Sequence, residues 1–166
     1  MNLVLETERL TLRFFTINDT PFIIELLNSP GWLAFIGDRN VKTEEDARNY
    51  LRNGPLKSYE LNGFGLCLVE LKNTKTPIGM CGILRRETLD YPDIGFAFLP
   101  AYTEKGYAFE VATATIQHAK TSWNIPKILG IVLPNNAPSI KLLEKIGLQF
   151  ERKIWQQGEE LLLYAG

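Results

Sequence analysis

Residues Asp93-Ile94-Gly95-Phe96-Ala97-Phe98-Leu99 run directly into Pro100-Ala101-Tyr102-Thr103-Glu104-Lys105-Gly106-Tyr107-Ala108. The first seven form a mainly apolar run of strand length, and Pro100 stops it. Beyond the proline the period changes. Ala108, Val111, Ala112, Thr115 and Ala119 recur at helical spacing, and their small size lets such a helix lie close on a sheet. Another apolar run, residues 128–133, follows. Strand, helix and strand in succession make a crossover, which implies parallel strands and a right-handed connection. A ligand crevice is expected at the ends of those strands.

Toward the N-terminus the reading is antiparallel. Leu10, Leu12 and Phe14 alternate with Thr11 and Arg13, a strand pattern. Asn18-Asp19-Thr20-Pro21 caps a helix carrying Phe22, Ile23, Leu26 and Leu27, and Asn28-Ser29-Pro30-Gly31 ends it. Thr43-Glu44-Glu45-Asp46 is close to a capping box and opens a second helix through Ala47, Tyr50 and Leu51. Two apolar runs, 64–71 and 78–84, are joined by Lys72-Asn73-Thr74-Lys75-Thr76-Pro77 and read as a hairpin. A turn around Asp90-Tyr91-Pro92 then delivers the Asp93 run. Toward the C-terminus, Asn136 is a good N-cap for a helix over 137–146 and Gly147 a good residue beyond its end. A final strand pair is broken at Gln156-Gln157-Gly158. No repeat or linker divides the chain, so one domain over residues 6–166 is expected.

Composition narrows the function classes. The 166 residues are 45% hydrophobic and 22% charged, with a net charge of −1 and no tract of Lys and Arg. That argues against nucleic acid or an anionic membrane surface as partner. No apolar stretch approaches the ~18 residues of a membrane span, and residues 1–12 lack the pattern of a signal or transit peptide. Cys67 and Cys81 sit in apolar runs without zinc-like spacing. They read as buried free thiols, with no metal, and the cytoplasm is the expected compartment. His118, the single histidine, has no metal-spaced partner and reads as a surface or packing residue. Trp32, Phe35 and Tyr50 read as core, and Arg85-Arg86-Glu87 as a solvated turn. No G-x-x-x-x-G-K-[ST] sequence supports phosphoryl transfer.

Two segments carry chemistry. Residues 102–108 join a strand to a helix N-terminus, whose unpaired N–H groups and dipole form an anion site. Gly106, without a Cβ, lets a diphosphate approach the main chain, and Ala108 keeps the next turn small. Asn135-Asn136-Ala137-Pro138-Ser139 is a second helix N-terminus, with Asn136 and Ser139 three apart on one side.

Lys105-Gly106-Tyr107-Ala108, then Asn136-x-x-Ser139 and Leu143-Glu144-Lys145-Ile146-Gly147-Leu148, resemble the GNAT superfamily of N-acetyltransferases. Glu6-Thr7-Glu8-Arg9-Leu10-Thr11-Leu12-Arg13, with Asp19 and Asp93-Ile94-Gly95-Phe96, is similar to its ribosomal-protein-alanine acetyltransferase-like branch. The resemblance runs from about residue 6 to the C-terminus. It implies an α/β (α+β) fold: a mixed, mostly antiparallel sheet of about seven strands, helices on both faces, and a splayed parallel strand pair. It implies acetyl-coenzyme A as co-substrate and a primary amine as acceptor, either a peptide N-terminus or a small molecule. Transfer is then direct, in a ternary complex, by a monomer or homodimer. The alternative is an inactive acetyl-coenzyme A-binding module. The backbone of Glu104, Lys105, Gly106, Tyr107 and Ala108 is expected at the diphosphate, and Phe98 and Leu99 at the pantetheine arm. Asn136 and Ser139 are expected at the pantetheine and sulfur. Asp93 is the expected general base. The 140–146 segment lacks the tyrosine that many relatives use as leaving-group acid, which leaves Ser139 or solvent. Thr103 and Glu104 also depart from the family pattern, and Glu104 puts a negative charge beside the anion.

Overall fold

The computed structural model describes residues 2–166, and its core is split by the alternation of its central strands. Strand β1 (Leu3–Glu6) precedes β2 (Leu10–Phe14), and four helices follow: α1 (Thr20–Leu27), α2 (Pro30–Phe35), α3 (Glu44–Asn53) and α4 (Pro55–Asn62). Next come β3 (Leu66–Leu71), β4 (Pro77–Leu84) and β5 (Asp93–Phe98). The chain ends with α5 (Tyr107–Ser122), β6 (Leu129–Val132), α6 (Ala137–Lys145), β7 (Gln149–Gln156) and β8 (Glu159–Ala165). In β3, Cys67 and Val69 face α5 and α6, packing with Val111, Ala112 and Leu143. Leu68 between them faces the other way and packs with Ile23, Leu27, Leu51 and Met80. Helices therefore cover both faces of the sheet, as period-2 alternation requires of a two-sided core.

All eight strands join one sheet, in the order β1-β2-β3-β4-β5-β6-β8-β7. The eighth strand, beyond the expected seven, is β1, a short edge strand paired antiparallel with β2 across a register shift. Among the described residues, only β5 and β6 run parallel. The hairpin of β7 and β8 folds back so that β8 lies between β6 and β7. Its two-residue turn holds Gln157 and Gly158 at φ 52° and 78°, the left-handed pair that matches strand twist.

Local signals and tertiary contacts share the work of making the helices. Thr43 and Asp46 form a reciprocal capping box, with Thr43 Oγ1 accepting from the Asp46 N–H at 3.1 Å. The small face of α5 is sealed: Val111, Ala112, Thr115 and Ala119 are all fully buried against the sheet. The first helix ends at Asn28, as its sequence implies, while α2 and α4 are helices that the sequence reading did not name. Pro30 and Pro55 occupy first helical positions, where a missing N–H costs nothing. Helix α4 is tied to the sheet through its own Tyr59. The Tyr59 hydroxyl accepts from the Phe15 N–H at 3.0 Å and donates to the Leu66 carbonyl, while its ring stacks on Phe14 at 3.9 Å. Among the described residues, no helix is long and apolar enough to cross a membrane.

Candidate active site

The parallel pair is joined at one point only. Asp93 lies opposite Leu129, the Leu129 N–H donates to the Pro92 carbonyl at 2.9 Å, and beyond that the strands part. Which main-chain groups line the gap follows from the ladders on either side. Leu99 donates its N–H to Ile78 at 2.9 Å, so in β5 the odd-numbered residues bond to β4. Ile94, Phe96 and Phe98 turn their groups toward β6. On the far lip Ile128 exchanges both bonds with Gly166, so Ile131 and Leu133 face the gap. The Leu133 carbonyl accepts the Asn136 N–H at 3.0 Å. Half-buried strand edges that face a gap in this way suit an extended ligand that adds as a strand.

The main chain of Leu99 is already engaged within the protein. Its N–H goes to Ile78, and its carbonyl accepts the Tyr102 N–H at 2.9 Å. Phe98 does lie on the open edge. Phe96, at the start of the 96–99 segment that the resemblance sets against the pantetheine arm, shares that edge, as does Ile131, which sequence reasoning did not single out. The strand parity that reveals them depends on register, which no local pattern states.

At the open end of β5 the chain bends into α5. Glu104 and Gly106 have φ of 61° and 81°, both left-handed, and Gly106 caps the helix without any side-chain hydrogen bond. The first helical bond runs from the Glu110 N–H to the Gly106 carbonyl at 3.1 Å. The amides of Tyr107, Ala108 and Phe109 therefore precede the helix ladder and form the positive end of its dipole. Glu104 and Lys105 are exposed on the bend. Burial works against the Glu110 carboxylate, but bonds from Thr7, the Arg9 amide and the Arg9 guanidinium outweigh it and lower its pKa.

The second helix N-terminus faces the same gap from the β6 side. Asn136 Oδ1 accepts the Ser139 N–H at 3.4 Å, an N-cap bond that leaves the Asn136 amide nitrogen as a donor. Both residues are half-buried, and α6 contains no tyrosine.

Asp93 sits where the two strands begin to part. Ile94, Phe96 and Phe98 pack toward α5, whereas Ala97 packs toward the first four helices. By alternation Asp93 faces the latter side. It is 1% exposed, and Arg86 Nε donates to its Oδ1 at 2.9 Å. Burial pushes its pKa up to about 6, against the pull of Arg86. Arg86 is thus the counter-ion of a buried carboxylate, not only part of a solvated turn. His118 packs edge-on to Trp123 at 4.8 Å. Cys67 and Cys81 are buried free thiols whose pKa values burial raises. Trp32 is buried, and Tyr50 packs at the margin of the same core.

A parted strand pair between two helix N-termini can hold a long, phosphorylated, amide-bearing ligand with its reactive end near Asp93. Residues 9–149 match the model of the acetyltransferase (GNAT) domain. An uncharacterized N-acetyltransferase, YnaD, of Bacillus subtilis (strain 168) is 29% identical over 157 residues, covering 93% of this chain and 89% of its own. An acetyltransferase structure from Agrobacterium tumefaciens str. C58 superposes with a TM-score of 0.84 at 24% identity, covering 100% of this chain and 94% of its own. RimL, a ribosomal L7/L12 alpha-N-protein acetyltransferase solved in complex with coenzyme A, shares the fold with a TM-score of 0.84 at 15% identity. That match covers 99% of this chain and 97% of RimL.

Proposed function

Because this chain belongs to the GNAT acetyltransferase family, we propose that it moves an acetyl group from acetyl-coenzyme A to a primary amine by direct attack in a ternary complex. The observation that carries this reading is the single-point junction of β5 and β6 beside the uncapped start of α5. The residues fit the co-substrate. The amides at the bend suit a diphosphate. The free groups of Phe96 and Phe98 suit the two amides of a pantetheine arm, which would add to β5 as an extra strand. Asn136 has a spare donor for the same arm.

The chemistry needs a neutral amine, a stabilised carbonyl oxygen and a protonated leaving thiolate. An α-amino group has a pKa of about 8 and a lysine about 10.4, so each arrives mostly protonated at neutral pH. Asp93, with a pKa near about 6, is ionised there and still basic enough to take that proton, directly or through water. The amine then forms a C–N bond at the thioester carbonyl, N–H groups on the β5 edge serve the oxyanion, and the C–S bond breaks. Ser139 Oγ or solvent returns a proton to sulfur, giving an N-acetyl amide and free thiol.

The ribosomal-protein N-terminal acetyltransferase among the structural neighbours supports a peptide N-terminus as one acceptor class, and small amines are the other. Thiol release should be measured with acetyl-coenzyme A against pools of N-terminal peptides and small primary amines. Release dependent on one pool assigns the class. Tight binding of the co-substrate with no release from any pool, water excepted, would refute the transferase reading.

A further inference from the structure

Residues 7–10, at the start of β2, lie against the first turn of α5, and Arg9 is the centre of the contact. Its backbone N–H donates to Glu110 Oε2 at 2.9 Å and its Nε to Glu110 Oε1 at 2.7 Å. Thr7 Oγ1 donates to the same carboxylate at 2.5 Å. The guanidinium also reaches past the helix: Nη1 donates to the Lys105 carbonyl at 3.2 Å, and its carbon lies 4.3 Å from the centre of the Tyr107 ring. Nη2 stands beside Gly106, where a Cβ would come within 3.4 Å of it. The turn that carries Arg9 is itself tied down, since Lys72 Nζ donates to the Thr7 carbonyl at 2.9 Å. One planar cation thus touches Lys105, Gly106, Tyr107 and Glu110.

We propose that Arg9 is a positioning residue for the diphosphate of the co-substrate. Its fork fixes the Lys105–Tyr107 bend so that the amides converge, and it cancels the charge of Glu110, which would otherwise sit one turn from an anion. The inference rests on the acetyl-coenzyme A reading of the same bend. Geometry explains why an arginine stands here. The guanidinium directs N–H groups along several fixed lines and stacks on a ring face, whereas an ammonium supplies only a point charge. Unlike the amides, Arg9 comes from the far end of the sequence, so β2 and α5 must be assembled before the site exists.

The test is calorimetric titration of coenzyme A and dephospho-coenzyme A into wild type, Arg9→Ala and Arg9→Lys, with steady-state kinetics on all three. Both variants should bind both ligands about tenfold more weakly and by the same factor. KM for acetyl-coenzyme A should rise in step, and kcat should stay within about twofold, a split that a general loss of structure would not produce. The lysine variant keeps charge and stem, so it remains informative if the alanine variant folds poorly. Wild-type affinity in Arg9→Lys would overturn the proposal, because charge alone would then suffice. A loss confined to coenzyme A would also overturn it, by moving the contact to the 3′-phosphate. Wild type that binds neither ligand sinks the reading of the bend itself, before Arg9 is tested.

Discussion

Replacing Asp93 by Asn should make the protein more stable and less active at once. Burial raises the Asp93 pKa from an ordinary carboxylate value to about 6, a gap of roughly two units. Each unit corresponds to about 1.4 kcal/mol, so keeping this group ionised above pH 7 costs the fold about 3 kcal/mol relative to the unfolded chain. The sign follows from proton counting. Between about pH 4 and 6 the folded chain holds a proton that the unfolded chain has lost, so stability falls as pH rises through that window and is then flat. Asparagine removes the titration. Arg86, whose side chain is 40% exposed, can hydrate when its partner is neutralised. Urea unfolding of wild type and Asp93→Asn at pH 4.5 and pH 8 isolates the effect in the difference between the two proteins. The variant should gain about 2–3 kcal/mol over wild type at pH 8 and much less at pH 4.5, while kcat/KM drops by ~10²–10⁴. A variant less stable at pH 8 by the same margin as at pH 4.5 would mean that Asp93 is only the structural partner of Arg86. Unchanged turnover would remove it from the chemistry.

Other outcomes are expected at single positions. The wild-type pH profile of kcat/KM should have an acid limb near about 6 that disappears in Asp93→Asn. Gly106→Ala forces a side chain into left-handed backbone at about 1–2 kcal/mol, and equilibrium titration should show weaker coenzyme A binding. Thr43→Ala removes half of a capping box far from the gap, so denaturant melts should show a loss of about 1 kcal/mol with kcat unaltered. Ser139→Ala should slow thiol release only if its hydroxyl, not solvent, protonates the sulfur; rapid-quench comparison of the chemical step in the two proteins separates these.

The sequence is most legible where local chemistry and tertiary structure demand the same residue. The capping box at Thr43, the small face of α5, the hairpin of β3 and β4, and the glycines at 106 and 158 are of this kind. It is opaque where stability is supplied from elsewhere. Helix α4 has no strong apolar stripe and stands because Tyr59 is bonded to Phe15, just past β2, and to Leu66 of β3. Strand β1 is four residues long and pairs across a register shift, so no alternation announces it. The insertion of β8 between β6 and β7 is a choice among topologies that each strand pattern permits. In the site, the bend and both helix N-termini are readable as motifs. The occupied main chain of Leu99 and the free edge of Ile131 depend on register. The pairing of Arg86 with Asp93 depends on the loop between β4 and β5 folding back across the strand end.

Amide hydrogen exchange of the protein with and without coenzyme A bears on all of this at single residues. Phe96, Phe98, Tyr107 and Ala108 should exchange freely in the ligand-free protein and slow sharply when the ligand is bound. If those four amides are unaffected while protection arises elsewhere, the gap between β5 and β6 is not where the co-substrate lies.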